Sequence, residues 1–86
     1  MYDVVLLPEA KKFYKKLFLS NKSHFQRVAQ ALESLSLDVL QGKVLKHKLK
    51  GKYSLRVGVY RIIYSVEKKE VAVYVFDIGH RKNIYR

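Results

Sequence analysis

Hydrophobic positions change their spacing once along the chain, close to residue 42. Before that point they recur every three or four residues. Ala10, Phe13, Tyr14, Leu17 and Phe18 fall at i, i+3, i+4, i+7 and i+8, which predicts one face of an amphipathic helix. Pro8 suits the first turn of that helix, where a missing N–H costs little, and Glu9 suits the positive end of its dipole. Lys11, Lys12, Lys15 and Lys16 occupy the other face. Ser20 and Asn21 interrupt the pattern and can cap a second helix, marked by Phe25, Val28, Ala29, Leu32 and Leu35. Residues 2–7, ahead of both, read as a short buried strand, and residues 38–42 as a loop.

After the loop the period is two. Tyr53, Leu55 and Val57 alternate with Ser54, Arg56 and Gly58. Tyr60, Ile62, Tyr64 and Val66 alternate with Arg61, Ile63 and Ser65, and Gly58 marks a turn or bulge between the two runs. Residues 67–70 make a polar turn. Residues 71–78 form a nearly continuous apolar strand rich in β-branched side chains, which predicts a central place in the sheet, ended by Gly79. The order is β-α-α-β-β-β. One α+β domain over residues 1–86 is expected, an antiparallel sheet packed against a two-helix hairpin.

Composition adds a partner to this picture. The net charge is +11, from 18 Lys and Arg against 7 Asp and Glu. It is unevenly placed: residues 1–42 carry +2 and residues 43–86 carry +9, with seven basic and no acidic residues over 43–61. Such an excess repels itself in a compact chain, so a polyanion is the expected partner, and nucleic acid leads. An anionic membrane surface and a solubility role are the alternatives. There is no Cys, which excludes disulfides and thiolate metal sites. The apolar stretch at residues 1–7 is too short for a signal segment or a membrane span, so a cytoplasmic location without membrane attachment is expected.

The chemistry on offer is limited. No Gly-rich phosphate loop is present, and His24, His47 and His80 lack metal-ligand spacing. Acidic residues are few, so no metal or other cofactor is expected. What remains is a set of arginines and aromatics at strands and strand ends. Arg56 and Arg61 lie on the polar sides of successive strands, where hairpin pairing can bring them together. Arg81 follows the last strand, with His80 and Tyr85 close in sequence. RNA cleaves itself when a base takes its 2′-OH proton and an acid protonates the departing 5′ oxygen. Fixed cations stabilise the charge that builds on phosphorus between them. Arginine suits that task because its fork matches phosphate oxygens. Lys46, Lys48, Lys50, Lys52 and Lys82 are candidates for RNA binding. Structural alternatives stand beside these: solvation of Arg56, pairing of Arg61 with Asp77, and plain packing of Tyr60, Tyr64 and Tyr74. His80 reads equally as a tail residue or a proton shuttle.

Two stretches resemble the RelE/ParE toxin superfamily. One runs Leu49-Lys50-Gly51, then Tyr53-Ser54-Leu55-Arg56-Val57-Gly58-Val59-Tyr60-Arg61-Ile62-Ile63-Tyr64. The other is Ile78-Gly79-His80-Arg81-Lys82-Asn83-Ile84-Tyr85. The resemblance covers essentially the whole chain and implies the same β-α-α-β-β-β fold. For the RelE branch it implies a toxin of a type II toxin–antitoxin pair, a metal-independent endoribonuclease that cuts mRNA in the ribosomal A site. It would leave a 2′,3′-cyclic phosphate, or a 3′-phosphate, and a 5′-hydroxyl. By motif, Arg56 matches a basic position where some members use Lys as general base. Arg61 matches a phosphate-stabilising arginine. Arg81 matches an arginine that stabilises charge at the leaving group, and Tyr85 a tyrosine that orients substrate. Two positions depart from the pattern. A guanidinium at Arg56 is a poor base, which leaves the proton to Tyr85 or His80, and a second basic position on that strand is Ser54. The implied partners are a RelB-like antitoxin, the ribosome and mRNA. Inhibition of DNA gyrase, as in the ParE branch, and an inactive member that only binds its antitoxin or nucleic acid are the rival readings.

Overall fold

The computed structural model of the chain describes residues 1–80. Strand β1 (Asp3–Leu6) leads into helix α1 (Pro8–Ser20), with Pro8 in the first turn as its sequence predicts. Asn21 alone separates α1 from helix α2 (Lys22–Leu37). It caps α2 by accepting the His24 backbone N–H on its side-chain oxygen at 3.1 Å. Tyr14, Phe18 and Phe25 close the seam between the helices, with ring centroids 4.6 and 5.0 Å apart for Tyr14–Phe25 and Phe18–Phe25.

Four strands follow: β2 (Lys43–Val44), β3 (Tyr53–Val57), β4 (Tyr60–Glu67) and β5 (Ala72–His80). The sheet order is β1-β5-β4-β3-β2. The α+β class and the antiparallel β3–β4–β5 meander are as the sequence predicts, and β5 is central. Four features differ. The whole sheet is mixed, because β1 runs parallel to β5; two helices intervene between β1 and the meander and return the chain in that direction. β1 is an edge strand with Asp3 and Val5 exposed rather than a buried one. The two-residue strand β2 has no period to reveal it; it exists only by pairing with Tyr53 and Ser54. β5 also continues past Gly79, since His80 still pairs with Tyr60.

Alternation assigns the faces. Ile62, Tyr64, Val73, Val75 and Ile78 are all buried against Ala10, Leu17, Val28, Leu32 and Leu35 of the helices. Tyr64 fixes the loop after α2: its Oη accepts the Gly42 N–H at 2.8 Å and donates to the Val39 carbonyl at 2.9 Å. No helix among the described residues is long and apolar enough to cross a membrane.

Candidate functional site

The tip of the β3–β4 hairpin is a two-residue loop, Gly58–Val59. Gly58 sits at φ +61 and Val59 stays outside the positive region, the requirement of a II′ hairpin turn. That loop sets the register, and the register places Arg56 directly opposite Arg61. Both project from the face away from the helices, because their neighbours Leu55, Val57, Tyr60 and Ile62 take the helix side. Arg56 is exposed and its Nε donates to the Gly58 carbonyl at 3.3 Å. Arg61 is half-buried and its Nη1 donates to Ser54 Oγ at 3.2 Å. The structural alternative for Arg61 does not follow from the register: Gly79 lies opposite Arg61, and Asp77 lies opposite Ile63.

The same open face carries Lys52, two residues ahead of Ser54. Its Nζ stands 4.2 Å from the centroid of Phe76, the additional residue at a bulge where the β4–β5 register shifts. Ser54 and Ile63 are well buried on this face, at 4% exposure each. An amine, two guanidiniums, a hydroxyl and an aromatic ring therefore share one surface. Strand alternation alone could have assigned Lys52 to it. Lys46, Lys48 and Lys50 are exposed around a single 3-10 turn, His47–Leu49. That loop is tied to itself by the Leu45 and Lys52 N–H groups, which donate to the carbonyls of Lys52 and Leu49 at 3.0 Å each.

His80 is not brought to the arginine pair. It lies opposite Tyr60 with ring centroids 6.3 Å apart, on the side facing the helices. Tyr60 in turn is hydrogen-bonded to His24 of α2, Nδ1 to Oη 2.8 Å, and meets the edge of Phe13 at 5.8 Å. Sequence reading missed His24, because its partner is 36 positions away and no local pattern marks it. Arg81, Lys82 and Tyr85 lie outside the described residues.

Two carboxyl- and phenol-bearing positions flank this surface. Burial raises the Asp77 carboxyl above its usual range; the Ile78 N–H opposes that shift and the charge of Glu9 adds to it. The Tyr74 hydroxyl donates to the Glu70 carboxylate, which raises the phenol above its ordinary value. Among the described residues no group of three His, Cys, Asp or Glu side chains could hold a metal ion.

A separate groove of about 630 Å³ opens beside the helical hairpin, lined by Leu6, Tyr14, Phe18, Leu19 and Phe25, with Lys11 and Lys15 also contributing. Phe18 is 46% and Leu19 83% exposed, an apolar surface of the kind that marks a binding partner.

Residues 4–85 match the family described as the ParE toxin of the type II toxin–antitoxin system parDE. The chain is similar to the toxin RelG of Mycobacterium tuberculosis, 37% identical over 57 residues; the match spans 65% of this chain and 66%, just under two thirds, of that toxin. Its fold is similar to a chain of the RelBE2 toxin–antitoxin complex of the same organism, with TM-score 0.82 and 28% identity over 93% of this chain and 98% of that one. It is also similar to a chain of the YoeB–YefM complex of Staphylococcus aureus, with TM-score 0.77 and 21% identity over 94% and 98% of the two chains. At that identity the second likeness speaks for the fold alone.

Proposed function

The chain belongs to the ParE toxin family of type II toxin–antitoxin systems, within the RelE/ParE superfamily, and on that premise we propose that it is a ribosome-dependent endoribonuclease acting on mRNA in the A site. The observation that carries this reading is the Arg56–Arg61 rung on the open face, with Lys52 and Ser54 beside it. In the reaction the 2′ oxygen loses its proton and bonds to the adjacent phosphorus. The bond from phosphorus to the 5′ oxygen breaks, and that oxygen takes a proton. The products are a 2′,3′-cyclic phosphate and a 5′-hydroxyl.

Arg61, held by Ser54, is the half-buried cation for the phosphoryl oxygens, and Arg56 widens the positive field. Arg81 stabilises charge on the departing oxygen. A guanidinium does not take the 2′-OH proton. Tyr85 is the group proposed for that step in preference to His80, whose ring faces Tyr60 on the helix side, and Lys52 adds to the positive field of the open face. No metal is required, because guanidiniums supply the charge. Lys46, Lys48, Lys50 and Lys82 bind the RNA backbone.

The partner is a RelB-like antitoxin in a cytoplasmic complex. An acidic segment would cover the basic strand surface, and an apolar helix face would fill the groove at Tyr14, Phe18 and Phe25. The name of the matching family favours one other reading, inhibition of DNA gyrase. Purified protein added to translating ribosomes, with mRNA ends mapped by primer extension, separates the two. New 5′ ends within the A-site codon are expected. Intact mRNA together with loss of gyrase supercoiling activity would establish the second reading instead.

A further inference from the structure

Helix α2 does more than cover the sheet. His24 and Arg27 are three residues apart and so project from one side of the helix. His24 is fastened to Tyr60, the first residue of β4, at 2.8 Å. That bond holds the start of α2 against the hairpin and brings Arg27 to its tip. Arg27 Nη1 stands 3.5 Å from the position that a side chain on Gly58 would first occupy. Arg56, from β3, reaches the same glycine, its Nε 3.3 Å from the Gly58 carbonyl. Arg61 is the rung partner of Arg56. Helix α2 and strand β3 therefore bring two guanidinium groups to one hairpin tip, with Arg61 on the rung behind it, and Arg27 and Arg56 are both solvent-exposed.

Collecting like charges on an exposed tip is unfavourable unless an anion joins them. Arg27 is not needed for the core, which α2 supplies through Val28, Leu32 and Leu35. We infer that Arg27 is an RNA-binding residue that works with Arg56 to hold a backbone phosphate next to the one engaged by Arg61. This rests on the ribonuclease reading for the identity of the anion. Such a contact is made equally in the bound substrate and in the transition state. It lowers KM without changing kcat. Either side chain alone is an ordinary surface cation; the shared glycine makes them a pair, and the His24–Tyr60 bond gives the pair a fixed geometry.

The test is equilibrium binding of a single-stranded RNA oligonucleotide across a series of salt concentrations. The proteins are wild type, Arg27→Ala, Arg27→Lys, and Lys69→Ala in the turn at the far end of β4. Each lost phosphate contact on a single strand reduces the slope of log K against log salt by about 0.7. Arg27→Ala should lose that amount, Arg27→Lys should keep the wild-type slope, and Lys69→Ala should leave it unchanged. On translating ribosomes Arg27→Ala should raise KM several-fold at constant kcat. An unchanged slope for Arg27→Ala, an equal loss for Lys69→Ala, or no measurable binding by wild type would overturn the inference. A slope change without any mRNA cleavage would leave the Arg27 contact standing and remove the ribonuclease reading. Cleavage without a slope change would do the reverse.

Discussion

The two faces of the β3–β4 hairpin are built from adjacent residues and do opposite things. Toward the helices, Ile62 and Tyr64 are fully buried and belong to the core cluster. Toward solvent, one residue away in either strand, stand Arg56 and Arg61. Alternation with period two is the only device that separates them. The lesson is that so short a chain need not set aside a separate region for a cationic surface. The same strands hold the fold with one face and present cations with the other. Substitution of a buried helix-side residue should therefore affect stability, and substitution of an open-face arginine should affect activity.

The sharpest test of that division lies on the buried face. Ile62→Ala removes a fully buried side chain and should cost about 2–5 kcal/mol by denaturant unfolding. The activity of the fraction that remains folded should stay near wild type. Gly42→Ala comes next. A Cβ there would lie 2.6 Å from Tyr64 Oη, the atom that accepts the Gly42 N–H. The phenol must move, and a loss of about 1–3 kcal/mol is expected. Tyr64→Phe should weaken the effect of the glycine change, and a double-mutant cycle measures that coupling.

Smaller effects mark the ends of the strands. Val71 holds φ +54 in the β4–β5 turn, a conformation that β-branched residues strongly resist. Val71→Asn keeps the backbone bonds to Lys68 and Asp3 and should stabilise the protein by about 1 kcal/mol. Asp77→Asn should have the smallest effect, and it depends on pH. The folded Asp77 carboxyl is raised above its unfolded value, chiefly by burial. Ionising it therefore opposes folding at and above neutrality, and the penalty disappears as pH falls below the ordinary carboxylate range. The variant should melt higher than wild type at neutral pH and alike in acid. A gain of equal size at both pH values would assign the effect to something other than the charge.

Most of this was legible in the sequence because each piece is local. The period of three and four gave α1 and α2, Asn21 gave the cap, and alternation placed Arg56 and Arg61 on one side before any pairing was known. What was not legible depends on distant partners. β1 was read as buried because its residues are apolar, yet its neighbours leave it at the edge. β2 is two residues with no period of their own. His80 stands in sequence beside Arg81 and reads equally as a tail residue or a proton shuttle; only the pairing of β5 with β4 turns it toward Tyr60 on the helix side. His24 and Arg27 looked like ordinary helix residues, since only the folded chain brings them to Tyr60 and Gly58.

The central claim is that the arginines of the open face carry the chemistry and not the stability. The most direct measurement compares Arg61→Ala with wild type for cleavage of ribosome-bound mRNA, on samples shown by circular dichroism to be folded and shown to bind the antitoxin. The predicted result is an unfolding free energy within about 1 kcal/mol of wild type and a cleavage rate lower by about 100- to 1000-fold, the usual cost of losing one fixed donor to a developing oxyanion. A folded Arg61→Ala protein that cuts at the wild-type rate would contradict the account.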